Sequence, residues 1–192
     1  TSKASELPRR LEIESDIING DITGDFRFAT LMPTLRDIAM HALPALSGSP
    51  STAKGRYPAD STGNDFNFDF RLDNLDGLTE FFNLPVYAIY PIDIDGNIVA
   101  ATSQATLNVD APYMRQGNKL IEGTQLTMLI DGTAGVDRAV LNTSFPSKDG
   151  MTAVTLAMQA KENVVDTDIK WKIDRQREYS GTVSMSTLLN RY

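Results

Sequence analysis

The side chains able to do chemistry in this chain are few. It has one histidine, His41, and no cysteine in 192 residues. Without thiolates there is no disulfide framework and no cysteine nucleophile, and the common nitrogen–sulfur zinc sites cannot be assembled. His41 stands beside Arg36 and Asp37 on the polar side of an apolar stripe, where a solvated helix residue accounts for it. No G-x-S-x-G elbow, H-E-x-x-H pair or G-x-x-x-x-G-K-[ST] phosphate loop occurs. Carboxylates remain. Asp93 and Asp95 precede Gly96 in PIDIDGN, like the opening of a calcium loop, but the other ligands and the closing bidentate glutamate are missing. A hairpin turn at Asp95-Gly96 is the expectation. Asp166 and Asp168 share the wet face of a strand with Lys170 and Lys172, which points to solvated cross-strand charge pairing. A β-stranded enzyme using Asp93, Asp95, Asp166 or Asp168 is the weakest reading, because paired-carboxylate chemistry needs partners that no motif supplies. We therefore assign no catalytic residue, no metal ligand and no cofactor, and expect no enzyme activity.

Charge narrows the partners. The chain has 25 acidic and 18 basic residues, a net charge of -7. Nucleic acids and anionic membrane surfaces call for a positive footprint, and no Lys/Arg cluster provides one. No apolar run approaches the ~20 residues needed to cross a bilayer. The first ten residues, TSKASELPRR, lack the apolar stretch of a signal peptide and are expected to form a flexible start to a single segment over 11–190.

The elements that would position any site are mostly strands. Phe66, Phe68, Phe70 and Leu72 alternate with Asn67, Asp69 and Arg71; Val165, Thr167, Ile169, Trp171 and Ile173 alternate with Asp166, Asp168, Lys170 and Lys172. A period of two gives a strand one dry face and one wet face. Weaker alternation links Leu11, Ile13 and Ile17; Ile22, Phe26 and Phe28; Ile92 and Ile94; Ala105, Leu107 and Val109; Leu126, Met128 and Ile130. It continues through Leu141, Thr143 and Phe145; Val154, Leu156 and Met158; and Tyr179, Val183 and Met185. Asn19-Gly20, Asp76-Gly77, Asp95-Gly96, Asp131-Gly132 and Asp149-Gly150 read as turns between them. The fold class is mainly β: a long antiparallel meander of about ten strands. An amphipathic stripe from Leu31 to Leu46 predicts a helix over 33–46, and Leu75, Leu78 and Phe82 predict a short one over 76–83. The Ser/Gly/Pro/Thr-rich stretch between the long helix and the Phe-rich strand is expected to be a mobile loop over 47–63.

Two helices are too few to cover such a meander. Its dry face must close on itself, pack against a second layer, or curl into a trough that admits an apolar guest. For the trough, the alternation names the lining as Phe66, Phe68, Phe70, Leu126, Met128, Ile130, Val154, Leu156, Met158, Ile169, Trp171 and Ile173. Burial is as favourable for an acyl chain as for a side chain, and methionines adapt to guests of varied shape.

The order of elements adds to this. LEIESDIINGDITGDFRFATLMPTLRDIAMHALPAL, a polar loop, and NDFNFDFRLDNLDGLTEFFNLPVYAIYPIDIDGNI resemble the TamB family, the translocation and assembly module, in its Bacteroidetes form, which is related to AsmA-like proteins. The matching pieces are the strand pair Ser15–Leu31, the helix ending Leu43-Pro44, the strand Asp65–Phe70 and the L-x-x-F-F pattern Leu78–Phe82. KLIEGTQLTMLIDG and TDIKWKIDR fit the same plan, so the resemblance covers roughly residues 10–190. It implies that the meander curls into a β-taco, a groove-like open barrel, apolar inside and polar outside, in a periplasmic protein held to the inner membrane by a segment outside this chain. It further implies a role in outer-membrane biogenesis: phospholipid transport between the membranes, and outer-membrane protein assembly with a barrel partner of the Omp85 type. The partners it implies are phospholipid or another acyl-chain ligand and that barrel protein; the charge balance argues against nucleic acid, and exposed edge strands leave open an edge-strand homodimer in isolation. The competing class is a structural or adhesive β-sandwich module binding protein or glycan, with its aromatic residues on the wet face.

Overall fold

Alternating phenylalanines and polar residues between Asp65 and Leu72 can bury one side of the backbone and wet the other only as a strand. A computed structural model, which describes residues 8–27, 29, 64–74, 87–132, 137–148, 150–161, 164–174 and 178–188, places such strands side by side in one antiparallel sheet. They are β1 (Arg9–Ile13), β2 (Ile18–Asp25), β3 (Asp65–Leu72), β4 (Tyr87–Ala88), β5 (Ile92–Val99), β6 (Gln104–Gln116), β7 (Lys119–Asp131), β8 (Asp137–Ser147), β9 (Gly150–Lys161), β10 (Val164–Ile173) and β11 (Tyr179–Leu188). Spatial order follows chain order, except that the two-residue β4 pairs with the far end of β6. The meander is open: β1 and β11 are its two ends. Adjacent strands rotate by roughly 20–25°, so a sheet this wide cannot be flat. The helices expected over 33–46 and 76–83, and the loop over 47–63, lie outside the described residues.

Register aligns the dry residues into rows that cross the whole sheet. One row runs Leu11, Ile22, Phe68, Gly96, Leu107, Met128, Ala139, Met158, Thr167, Met185. The next runs Ile13, Gly20, Phe70, Ile94, Val109, Leu126, Leu141, Leu156, Ile169, Val183. A one-residue slip at any pair would turn every later apolar residue into water, so the pattern pins the pairing.

Two expected turns prove to be strand interior. Asn19-Gly20 lies within β2 and Asp95-Gly96 within β5. The reason is the neighbour across the ladder: Gly20 faces Phe70 and Gly96 faces Phe68. A Cβ on Gly20 would meet the Asp69 carbonyl oxygen and then the Phe70 ring, and one on Gly96 the Thr106 carbonyl oxygen and then the Phe68 ring, so the missing side chain lets backbone and ring approach closely. Gly181 on β11 does the same for the indole of Trp171. At Asp131-Gly132 and before Gly150, by contrast, the strands do end. Ile17, grouped by spacing with Leu11 and Ile13, falls outside β1 and is exposed.

A further irregularity has no turn dipeptide to announce it. The β7–β8 register shifts between Glu122 and Gln125, where β7 holds one residue more than β8. Gly123 sits there at φ +59, left-handed backbone that glycine adopts without steric cost. Within the bulge Thr124 and Thr143 bond through their hydroxyls at 2.8 Å.

The buried core is one-sided. Ile22, Phe26, Phe66, Ile98 and Ile130 form it, with Leu11, Phe68, Phe70 and Ala105 against it. Phe26 meets Phe66 edge-on at 6.0 Å, and Phe66, Phe68 and Phe70 follow one another at 6.3 and 6.1 Å along β3. Such spacings add to the area term. The glycine–aromatic seat gives a direct check. Gly181→Ala should destabilise the chain by about 1–3 kcal/mol by overpacking against Trp171. In a Trp171→Val background the same change should cost less than about 0.5 kcal/mol, a coupling that urea denaturation of the double-mutant cycle would reveal.

Candidate functional site

The acidic residues come first, because they alone could host chemistry. Asp95 and Asp168 stand in one wet-face row, through Asn108, Thr127, Val140 and Ala157. Five strand spacings separate them, about 24 Å, far beyond the separation at which two carboxyls act on one bond. Each has an ordinary partner. Asn108 donates to Asp95 at 2.8 Å, Ser184 donates to Asp168, and Asp93 is 4.0 Å from Arg71. The pairing expected of Asp166 and Asp168 with Lys170 and Lys172 is replaced by this Ser184 contact and by a 2.9 Å bridge from Lys172 to Glu178, because the lysines face Thr155, Ala153, Thr182 and Ser180 across the ladder. That bridge raises the Lys172 pKa above its ordinary value. At the β2–β3 end, hydrogen bonds from Asn19 and then Arg71 hold Asp73 below its ordinary value.

Asp21, Asp69 and Asp95 lie directly opposite one another on three strands and line a shallow wet-face depression of about 260 Å³ with Thr23 and Asn67. Like charges so placed repel. Thr23 donates to Asp21 at 2.8 Å and Arg10 approaches it at 3.4 Å, which eases the strain. Among the described residues no group of three or more acidic or histidine side chains is arranged to hold a metal ion.

The dry face is where the structure departs from an ordinary core. The buried apolar residues are Ile22, Phe26, Phe66, Ile92, Ile98, Ala100, Ala111 and Ile130. All precede β8. From β8 to β11 no apolar side chain among the described residues is buried, and the two buried positions there, Thr152 and Thr167, are polar. The residues named as groove lining therefore divide. Phe66 and Ile130, 6% and 8% exposed, belong to the closed core, and Phe68 and Phe70 pack on it. Leu126, Met128, Val154, Leu156, Ile169, Trp171 and Ile173 are half-buried, and Met158 is 39% exposed. Sheet register brings Met128, Leu126, Leu156, Met158, Ile169 and Trp171 onto one continuous patch spanning β7–β10. Val183 and Met185 extend it to β11, and Leu141 lies inside it. Four strand spacings give this patch a width of about 19 Å. The alternation of β8 and β11 marked Leu141, Val183 and Met185 as dry, and their place in the rows makes them part of the surface.

An aromatic cluster at one end of the sheet went unrecognised in the sequence. Tyr90 and Tyr113 stand 5.3 Å apart at a 49° tilt, and the Arg115 guanidinium lies 5.6 Å over the Tyr87 ring. All three tyrosines are exposed. The signal was thin: VYAIYP and APYMRQ carry it, but β4 has only two residues and no period to read. Tyr113 and Arg115 share the side of β6 that carries Val109 and Leu107, so amphipathic rings stand where the apolar rows run out.

The chain matches no family model, no curated protein and no solved structure. No helix among the described residues is long and apolar enough to cross a membrane.

The division of the dry face is testable by charge insertion. Phe66→Asp should cost at least about 3 kcal/mol or unfold the chain, since it buries an unpaired charge. Met158→Asp should stay within about 1 kcal/mol of the parent, because its head reaches water. Equal losses in urea midpoint would contradict the division.

Proposed function

We propose that this chain is a non-enzymatic segment of an apolar groove in an envelope-spanning periplasmic protein. There it would serve phospholipid transport between the inner and outer membranes, or outer-membrane protein assembly with a barrel partner of the Omp85 type. The observation that carries the reading is the absence of any buried apolar side chain from β8 to β11 among the described residues, although the dry face of those strands is mostly Leu, Met, Ile, Val and Trp, with Ala139, Thr143, Thr167 and Gly181 among them. A contiguous apolar surface several strands wide is costly to leave in water and marks a place where something binds. An acyl chain fits its chemistry: it needs area rather than hydrogen bonds. The exposed tyrosines suit the level at which an apolar tail gives way to a polar head, since a phenol offers a ring to one and a hydroxyl to the other. The TamB-like order of elements supports the same reading and supplies the compartment, the membrane attachment outside this chain and the barrel partner.

The mechanism is passive. The floor of the sheet replaces water around a chain while the head group stays at the wet rim, so no energy source or cofactor is needed within the segment. After expression in a bacterial host and mild purification, native mass spectrometry should find phospholipid or fatty acid bound. Leu156→Asp with Met158→Asp should strip the lipid while circular dichroism stays that of a β protein. A parent protein that emerges folded and lipid-free would overturn the reading.

A further inference from the structure

The hairpin of β6 and β7 brings two opposite charges close together without joining them. Tyr113 faces Glu122 across the ladder, and Arg115 faces Leu120. Residues directly opposite point to the same side, so Arg115 and Glu122 are diagonal neighbours on one side of the sheet. Such positions lie about 7–8 Å apart, within reach of long side chains. An ion pair is the ordinary outcome, yet among the described residues no carboxylate pairs with Arg115 and no cation with Glu122. The guanidinium lies over the ring of Tyr87, which faces it from β4. Lys119 faces Gln116 and so falls on the other side.

The rings beside these charges are held in place. Tyr87 and Ala88 pair with β6, and the Ile89 N–H donates to the Tyr113 carbonyl at 3.0 Å, which sets the exposed Tyr90 ring against Tyr113. A guanidinium is a phosphate-binding group. A carboxylate beside tyrosine rings suits an ammonium, by charge and by cation–π attraction. A simple anion drawn to Arg115 would also meet Glu122, whereas a ligand with both charges satisfies both. We propose that this corner binds a phospholipid head group carrying a phosphate and an ammonium, the phosphate on Arg115 and the ammonium at Glu122, Tyr90 and Tyr113. The proposal rests on the groove reading above and names the class of lipid. The dimensions agree. Four residues, about 13 Å, separate Tyr113 from Val109, which faces Leu126 of the apolar patch. An acyl tail spans about half of a ~30 Å hydrocarbon core, so a head at this corner lays its tail on the open floor.

Single-chain lipids that share one brominated tail and differ only in the head test this directly. One carries ethanolamine phosphate, one glycerol phosphate, and one is an uncharged alcohol. Quenching of Trp171 below the micellar concentration gives a Kd for each. The ethanolamine phosphate lipid should bind at least about threefold tighter than the glycerol phosphate lipid and about tenfold tighter than the alcohol. Glu122→Gln should abolish the first difference. Arg115→Gln should bring both phosphates to within about twofold of the alcohol. Arg115 is exposed and Glu122 half-buried, and each variant is checked for the circular dichroism spectrum of the parent. Free phosphoethanolamine in about tenfold excess should not displace the lipid, because the tail supplies the buried area; displacement would make the free head the ligand and overturn the proposal. Equal binding of the two phosphates by the parent, or either preference surviving its folded variant, would also overturn it. If the alcohol binds as tightly as both phosphates, the floor stands and the head site falls. If none of the lipids quenches, the floor itself falls.

Discussion

A meander satisfies its backbone hydrogen bonds strand by strand, but it cannot cover its own apolar face without closing or finding a second layer. That constraint governs this chain. Its strands are paired one to the next from β1 to β11, yet among the described residues the buried apolar side chains stop at Ile130. The N-terminal strands resolve the problem with stacked phenylalanines. The C-terminal strands leave it open.

Aromatic residues seated on cross-strand glycines explain how the first solution is built. Phe68 over Gly96 and Phe70 over Gly20 thicken the dry layer of β3 while the partner strands stay close to it. The same device appears once more at Trp171 and Gly181, in the open half. There it lays a large ring along the surface in place of a sealed interior, consistent with a floor that meets something other than protein.

Much of this was legible in the sequence because period two is a strong signal when both faces are chemically distinct. NDFNFDFRL and VVDTDIKWKI declare their strands and their dry sides without ambiguity. Three features were hidden, each for a physical reason. Asn19-Gly20 and Asp95-Gly96 have the composition of tight turns, but each glycine lies within a strand opposite a phenylalanine, a pairing that local sequence does not show. The bulge at Gly123 adds one residue to β7 against β8, and a single glycine within KLIEGTQLTMLIDG does not tell a bulge from a break. Burial was the least readable. Phe66 and Met158 occupy equivalent dry positions, but one is sealed and the other open, because burial depends on what lies above the sheet rather than on alternation along a strand.

Trp171 is the only tryptophan in the chain, and it lies on the open half of the dry face, so its fluorescence reads that surface alone. Titration with a fatty acid brominated along its acyl chain, beside the unbrominated form, tests the central claim most directly. The account predicts saturable quenching by the brominated lipid and none by its counterpart. Emission that is the same with both, at concentrations where the lipid is monomeric and in excess, would mean that no acyl chain reaches the floor of this sheet.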